Sequence, residues 1–331
     1  MLVGLGASPV VSQEPLSGGA GPPHGVLGEV PGEDELRFLE PLEGPLRGRV
    51  QVLYWPGGEG RAQRALAVLE ARPTLPGLPA SVPEKAWIYL APDSPRFDGL
   101  TGGEVPHWGA GVALPGLDRV VIPLFSSPWA GRGDEDRTLL HEWAHLGLHQ
   151  YMRGGRIPRW FDEGYAQWSS GGWDPTSAWK LRLALAGGGA PPLDSLSLVW
   201  PREQGRAELA YLLSATAVAY LVEGSGVRGL ELFLERWRED GDFEEAFRRT
   251  FGVTTGTFER QWIQHVKRRY GWLLVLSQTL VSWVLLGFGL LVLFGIRRRR
   301  DRERLERLRD TEPPDTPAWW DPPVDPEPPP S

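Results

Sequence analysis

The segment His141-Glu142-Trp143-Ala144-His145 constrains this chain more than any other, because on a helix it places two imidazoles where they can share one metal ion. Side chains at i and i+4 stand one turn apart on one helical face, so the two imidazoles can meet a single metal ion, zinc above all, and a carboxylate is left beside it. With only six His in the chain, H-E-x-x-H arises by chance in roughly one chain of this length in a hundred, so its surroundings have to decide.

The surroundings support a buried metal helix. Asp134, Glu135 and Asp136 suit a helix N-terminus, and Leu139, Leu140, Trp143, Ala144, Leu146 and Leu148 make most of its surface apolar. The pattern predicts a helix from about Glu135 to about Met152, ended by Gly154-Gly155, with Pro158 barring continuation. A catalytic zinc takes three protein ligands and leaves one position for water, so a third ligand is required. His149 lies one turn beyond His145, and three successive turns of a straight helix cannot wrap one ion, which leaves His149 as a surface residue or as one that supports a ligand by hydrogen bonding. The metzincin arrangement would need Gly at position 148 and His at position 151, where this chain has Leu148 and Tyr151. Asp162 and Glu163 are the adjacent acidic candidates, in a segment, Pro158-Arg159-Trp160-Phe161-Asp162-Glu163-Gly164-Tyr165-Ala166, that reads as a second helix returning towards the first. They point about 100° apart on a helix, so only one can face the ion.

These motifs together resemble the gluzincin zinc metallopeptidases, and most closely the peptidase-MA-like family, in which H-E-x-x-H is followed at similar spacing by a Glu-Gly on a second helix. The resemblance spans about residues 48–270. It implies Zn2+ held by His141, His145 and Glu163, and hydrolysis of peptide or protein substrates by zinc-activated water with Glu142 as general base. Several gluzincins carry an Asp one turn after the third ligand as acceptor for a ligating His; this chain has Gln167 there. The resemblance further suggests Tyr211 as an oxyanion-stabilising catalytic residue, a position that core packing would also explain, and an edge strand near the zinc, at Trp108-Gly109-Ala110-Gly111-Val112, that pairs with extended substrate. The alternative is a catalytically inactive, zinc-bearing binding or scaffold protein, against which the intact Glu142 argues.

Composition narrows the field. The chain has no Cys, which removes disulfides, thiolate-bound zinc and thiol nucleophiles. A formal charge of −7, with basic clusters only beside one apolar run, argues against nucleic acid as a partner. The absence of Asn and the presence of only three Lys fit a GC-rich bacterial coding bias.

That apolar run, residues 272–296, contains no charged residue and as a helix spans about 37 Å, more than the roughly 30 Å of a bilayer's hydrocarbon core. It predicts one transmembrane helix, making the lipid bilayer a partner. Arg297 to Arg300 follow directly, against a smaller cluster at Lys267, Arg268 and Arg269 on the other side. The positive-inside rule places the C-terminal tail in the cytoplasm and the catalytic domain outside, in a single-pass cell-membrane protein. An exported domain calls for an export signal, and the apolar start MLVGLGASPVV reads as a possible truncated signal peptide.

The expected organisation is an apolar start and Gly/Pro-rich linker over 1–34, a gluzincin-like domain over 35–271, the span over 272–296, and a basic, then acidic and Pro-rich, tail over 297–331 that identifies no partner. The fold class is α+β: a small β-sheet lobe, then helices, in a zincin-like domain. Strands are expected at 50–54, 86–90, 109–114 and 119–124, a helix at 61–71, and further helices at 176–186, 207–222, 228–238, 243–251 and 257–270.

Overall fold

The computed structural model describes residues 30–103, 111–125, 132–171, 204–270 and 272–310, with single positions at 178, 180–182, 192, 193 and 196. The expected edge-strand residues Trp108, Gly109 and Ala110, the expected helix at 176–186 apart from four positions, the possible signal peptide and the acidic tail lie outside the described residues. The chain divides into two units, Met1–Leu273 and Leu274–Ser331.

The first unit begins with a five-stranded sheet: β1 (Arg37–Leu39), β2 (Val50–Tyr54), β3 (Ala86–Ala91), β4 (Val112–Leu114) and β5 (Arg119–Pro123), in the order β1-β2-β3-β5-β4. The inner strands β2, β3 and β5 are parallel, while β1 and β4 run antiparallel at the two edges. Their residues are apolar nearly throughout, as a sheet covered on both faces requires. The period of two assigns each residue to a layer. Val52, Tyr54, Ile88, Leu90, Val120 and Ile122 join the main core, while Leu53, Trp87, Tyr89, Ala91 and Val121 join a smaller core that contains Phe97 and Leu100.

Helices α1 (Glu59–Ala71) and α3 (Arg132–Met152) contribute to the main core, and α2 (Ser94–Thr101) supplies Phe97 and Leu100 to the smaller one. Helix α2 starts where Asp93 accepts a hydrogen bond from the Arg96 N–H at 3.0 Å, with Pro95 in its first turn. Salt bridges from Arg61 to Glu135 and from Arg64 to Asp136 join α1 to the start of α3. Both arginines are largely exposed, so these pairs orient the helices more than they stabilise them.

The rest of the unit is helical: α4 (Arg159–Ser169), α5 (Gln204–Asp240), α6 (Phe243–Phe251) and α7 (Thr255–Tyr270). Helix α5 is broken at Gly226, whose φ of 69° and ψ of 171° are not helical, which separates the two helical stretches read from the sequence. By length and composition Gly205–Asp240 could cross a membrane, but half of its apolar window is buried inside this unit, as for a central core helix. An aromatic cluster of Phe161, Phe233, Trp237, Phe243 and Phe247 joins α4, α5 and α6, with ring centroids 4.8–5.9 Å apart in the edge-to-face contacts.

The described part of the second unit belongs to α8 (Trp272–Asp310), a 39-residue helix that continues past the apolar run into the arginine-rich segment. Its large apolar side chains from 283 to 296 are exposed, Leu291 to 70%.

Helix α4 crosses α5 so closely that a Cβ on Gly164 would lie 2.5 Å from the Ser214 carbonyl oxygen. Backbone cannot give way there as a side-chain tip can, so Gly164→Ala is expected to destabilise the fold by about 1–3 kcal/mol. Gly60, helical in α1 with open space around its Cα, provides the contrast: Gly60→Ala is expected to stabilise by about 0.4–1 kcal/mol. Chemical denaturation of the two variants checks this, and equal effects would contradict the close crossing.

Candidate metal centre

Helix α3 is held by its apolar surface: Trp143, Ala144, Leu146 and Leu148 are fully buried, and Gly147 leaves room for Leu75, whose Cδ1 would lie 2.2 Å from an added Cβ. The helix ends where Arg153 and Gly154 adopt φ of 49° and 80°. With these residues packed inward, His141 and His145 share a half-buried face, their ring centroids 4.7 Å apart and their Nε2 atoms 3.1 Å apart.

Glu163 meets them from α4. Trp160, Phe161, Tyr165 and Ala166 anchor that helix in the core, and the Tyr165 hydroxyl donates to the Pro76 carbonyl at 2.9 Å. Gly164 lets α4 sink against α5. Glu163 Oε2 then lies 3.3 Å from His145 Nε2 and 3.6 Å from His141 Nε2. A tetrahedral zinc with ligands at about 2.0–2.1 Å has ligand–ligand edges of about 3.3–3.4 Å. Two nitrogens and one carboxylate oxygen separated by 3.1–3.6 Å therefore fit such an ion in both spacing and donor type.

Asp162 sits differently. Its Oδ1 is 2.7 Å from His145 Nδ1 and its Oδ2 is 2.8 Å from His149 Nε2. These are hydrogen-bond lengths, too short for edges of a coordination tetrahedron. The two adjacent acids thus address opposite nitrogens of one ring: Glu163 faces Nε2 and Asp162 faces Nδ1.

Electrostatics follow from this placement. Burial alone would raise the Glu163 carboxyl, but hydrogen bonds and charge from His141 and His145 outweigh it and hold the group at about 2. Burial likewise disfavours charge on Asp162, yet its two His partners keep it well below the usual carboxylate range. Burial also works against a charged His145, but Asp162 and Glu163 raise its imidazole well above the ordinary value. The pocket is therefore built to hold positive charge.

Glu142 is 8% exposed, and burial raises its carboxyl against the opposing influence of His141 and His145. The backbone N–H of Ala113, on edge strand β4, donates to it. Gly111 packs against it so closely that an added Cβ would lie 3.0 Å from Glu142 Cγ and 2.9 Å from Thr138 Cγ2. Tyr211, on α5, sets its ring edge-to-face against His141, centroids 6.2 Å apart.

The structure thus gathers His141, Glu142, His145, Glu163 and Tyr211, drawn from α3, α4 and α5, at one place. It adds a link that the spacing argument did not assign, His145 to Asp162 to His149. The signals for it were present in the sequence: a His one turn beyond His145, and an acid immediately before Glu163.

Two solved structures resemble the chain at low identity. One is a two-domain M1 zinc metallopeptidase variant bound to L-tryptophan, 17% identical, with a TM-score of 0.42, covering 70% of this chain. The other is an M1 zinc metallopeptidase variant from Deinococcus radiodurans, 16% identical, with a TM-score of 0.41, covering 72%. The chain spans about half of each, 52%. A search of curated proteins gives no match. The family model for the Peptidase MA superfamily matches residues 80–268, more than half of the chain and inclusive of every residue of the cluster, and the chain belongs to that superfamily.

Proposed function

We propose that this chain is a membrane-anchored zinc metallopeptidase that hydrolyses peptide bonds. The observation that carries the reading is the convergence of His141 Nε2, His145 Nε2 and Glu163 Oε2 at tetrahedral-edge distances, with the buried Glu142 next to them. A zinc ion there supplies a Lewis acid that polarises a peptide carbonyl and acidifies water. Glu142 takes the proton from the attacking water at its carboxylate and returns it to the nitrogen of the leaving amine. Burial raises this carboxyl, which makes it a better proton acceptor than an exposed glutamate. Tyr211, beside His141, offers its phenol to the oxygen on which negative charge develops. An extended substrate backbone lies along β4, the last strand of the sheet, whose Ala113 N–H already reaches Glu142.

Anchoring rests on α8. Its apolar run is long enough to span a bilayer, and its described large side chains there are exposed as lipid-facing residues would be. Arg297 to Arg300 at its end support a cytoplasmic tail and a catalytic unit outside, with envelope or extracellular peptides as substrates.

Glu142→Gln separates an enzyme from a zinc-bearing scaffold. The change keeps the shape and removes the proton acceptor, so cleavage of a mixed-sequence peptide library is expected to fall by about 10²- to 10⁴-fold with zinc content unchanged. Equal cleavage by the variant, or none by the zinc-replete parent, supports the scaffold instead.

Topology is checked with reporter fusions after Gly271 and after Ser331. Opposite signals are expected, outside at Gly271 and cytoplasmic at Ser331. A cytoplasmic signal at Gly271 would reverse the assignment.

A further inference from the structure

His149 takes no part in the hydrolytic steps above, yet it makes one of the shortest polar contacts around the cluster. Its Nε2 is 2.8 Å from Asp162 Oδ2, while Asp162 Oδ1 is 2.7 Å from His145 Nδ1. An ionised carboxylate only accepts hydrogen bonds, so both ring nitrogens donate. With a proton held at Nδ1 by Asp162, His145 presents Nε2 towards His141 and Glu163, where its lone pair would serve a bound metal. One carboxylate on α4 therefore bridges two rings that stand one turn apart on α3.

We propose that His149 is a positioning residue of the metal centre: it pins Asp162, and Asp162 in turn fixes the ring plane and tautomer of His145. This inference rests on the metal reading given above. A carboxylate held by His145 alone could swing about its side-chain torsions. The second donor, on a different turn of the same helix, fixes both of its oxygens and so fixes how Nε2 faces the metal. His145, His149 and Asp162 also lie within reach of one ion. Their contacts of 2.7 and 2.8 Å are hydrogen-bond lengths, however, whereas the atoms of His141, His145 and Glu163 stand at the 3.1–3.6 Å of coordination edges.

The test is zinc affinity of the full chain in detergent, measured by competition with a chromophoric chelator, with circular dichroism of each metal-free variant as the control for folding. His149→Leu is expected to weaken zinc binding about 10- to 100-fold at unchanged stoichiometry, the range for loss of a group that orients a ligating histidine. His149→Gln, whose amide N–H can donate to the same carboxylate, is expected to restore most of that loss. In an Asp162→Ala background, His149→Leu is expected to have no further effect, because its influence passes through Asp162. Unchanged affinity in His149→Leu, or an undiminished loss in the Asp162→Ala background, would overturn the proposal while leaving the zinc site intact. Should His149→Leu not fold, Asp162→Asn decides: it removes the charge and one acceptor oxygen at constant shape, and unchanged affinity there overturns the proposal. If the parent chain itself holds no zinc, the metal reading falls, and this inference falls with it.

Discussion

Two imidazoles and a carboxylate from separate helices meet here because α4 and α5 touch backbone to backbone. At Gly164 no side chain separates the helices, and the Ser214 carbonyl occupies the space a Cβ would need. Glu163 is the residue before that contact and Tyr211 lies one turn before Ser214, so the crossing places Glu163 against His141 and His145 and Tyr211 against His141. A bulkier residue would move α4 outward and carry Glu163 with it. The aromatic cluster around Phe161 and Phe233 packs α4 against the part of α5 beyond Gly226 as well, which makes the geometry of the centre a consequence of core packing.

The second consequence is electrostatic. Three carboxylates, on Glu142, Asp162 and Glu163, approach three imidazoles, on His141, His145 and His149, in a largely buried pocket. Such a set is costly to bury unless positive charge balances it. The environment divides the acids: Asp162 and Glu163 are held low by their histidine partners, while Glu142, with a single described backbone donor at Ala113, is raised. Two anions that favour a cation stand beside a carboxyl nearer to proton exchange, and that division is the one a metal-assisted hydrolysis needs.

Much of this was legible in the sequence, for identifiable reasons. Strand β2 and helix α6 agree residue for residue with their expected ranges, because each is an apolar pattern with sharp ends. For α6 those ends are the Asp242 cap, which accepts from the Glu245 N–H at 2.9 Å, and Gly252 at φ of 72°. Strand β1 was not legible: three residues, Arg37–Leu39, carry no period, and they are strand only because β2 pairs with them. Helix α2 escaped because Phe97 and Leu100 alone mark its apolar face amid Pro and Gly. In the site, the i, i+4 spacing revealed the histidine pair, and resemblance pointed to Glu163 over Asp162. Which ring nitrogen each acid would face depends on how α4 is rotated against α3. That rotation is set by Gly164 packing on α5, a contact between residues fifty positions apart in sequence.

The most direct measurement is zinc K-edge X-ray absorption on the full chain loaded with one equivalent of metal, compared between the parent and Glu163→Ala. Four-coordinate zinc with two imidazole nitrogens and oxygen ligands at about 2.0–2.2 Å is expected in the parent, and loss of that shell or of the metal itself in the variant. A shell unaltered by Glu163→Ala, a third imidazole, or an all-oxygen six-coordinate environment would contradict that expectation.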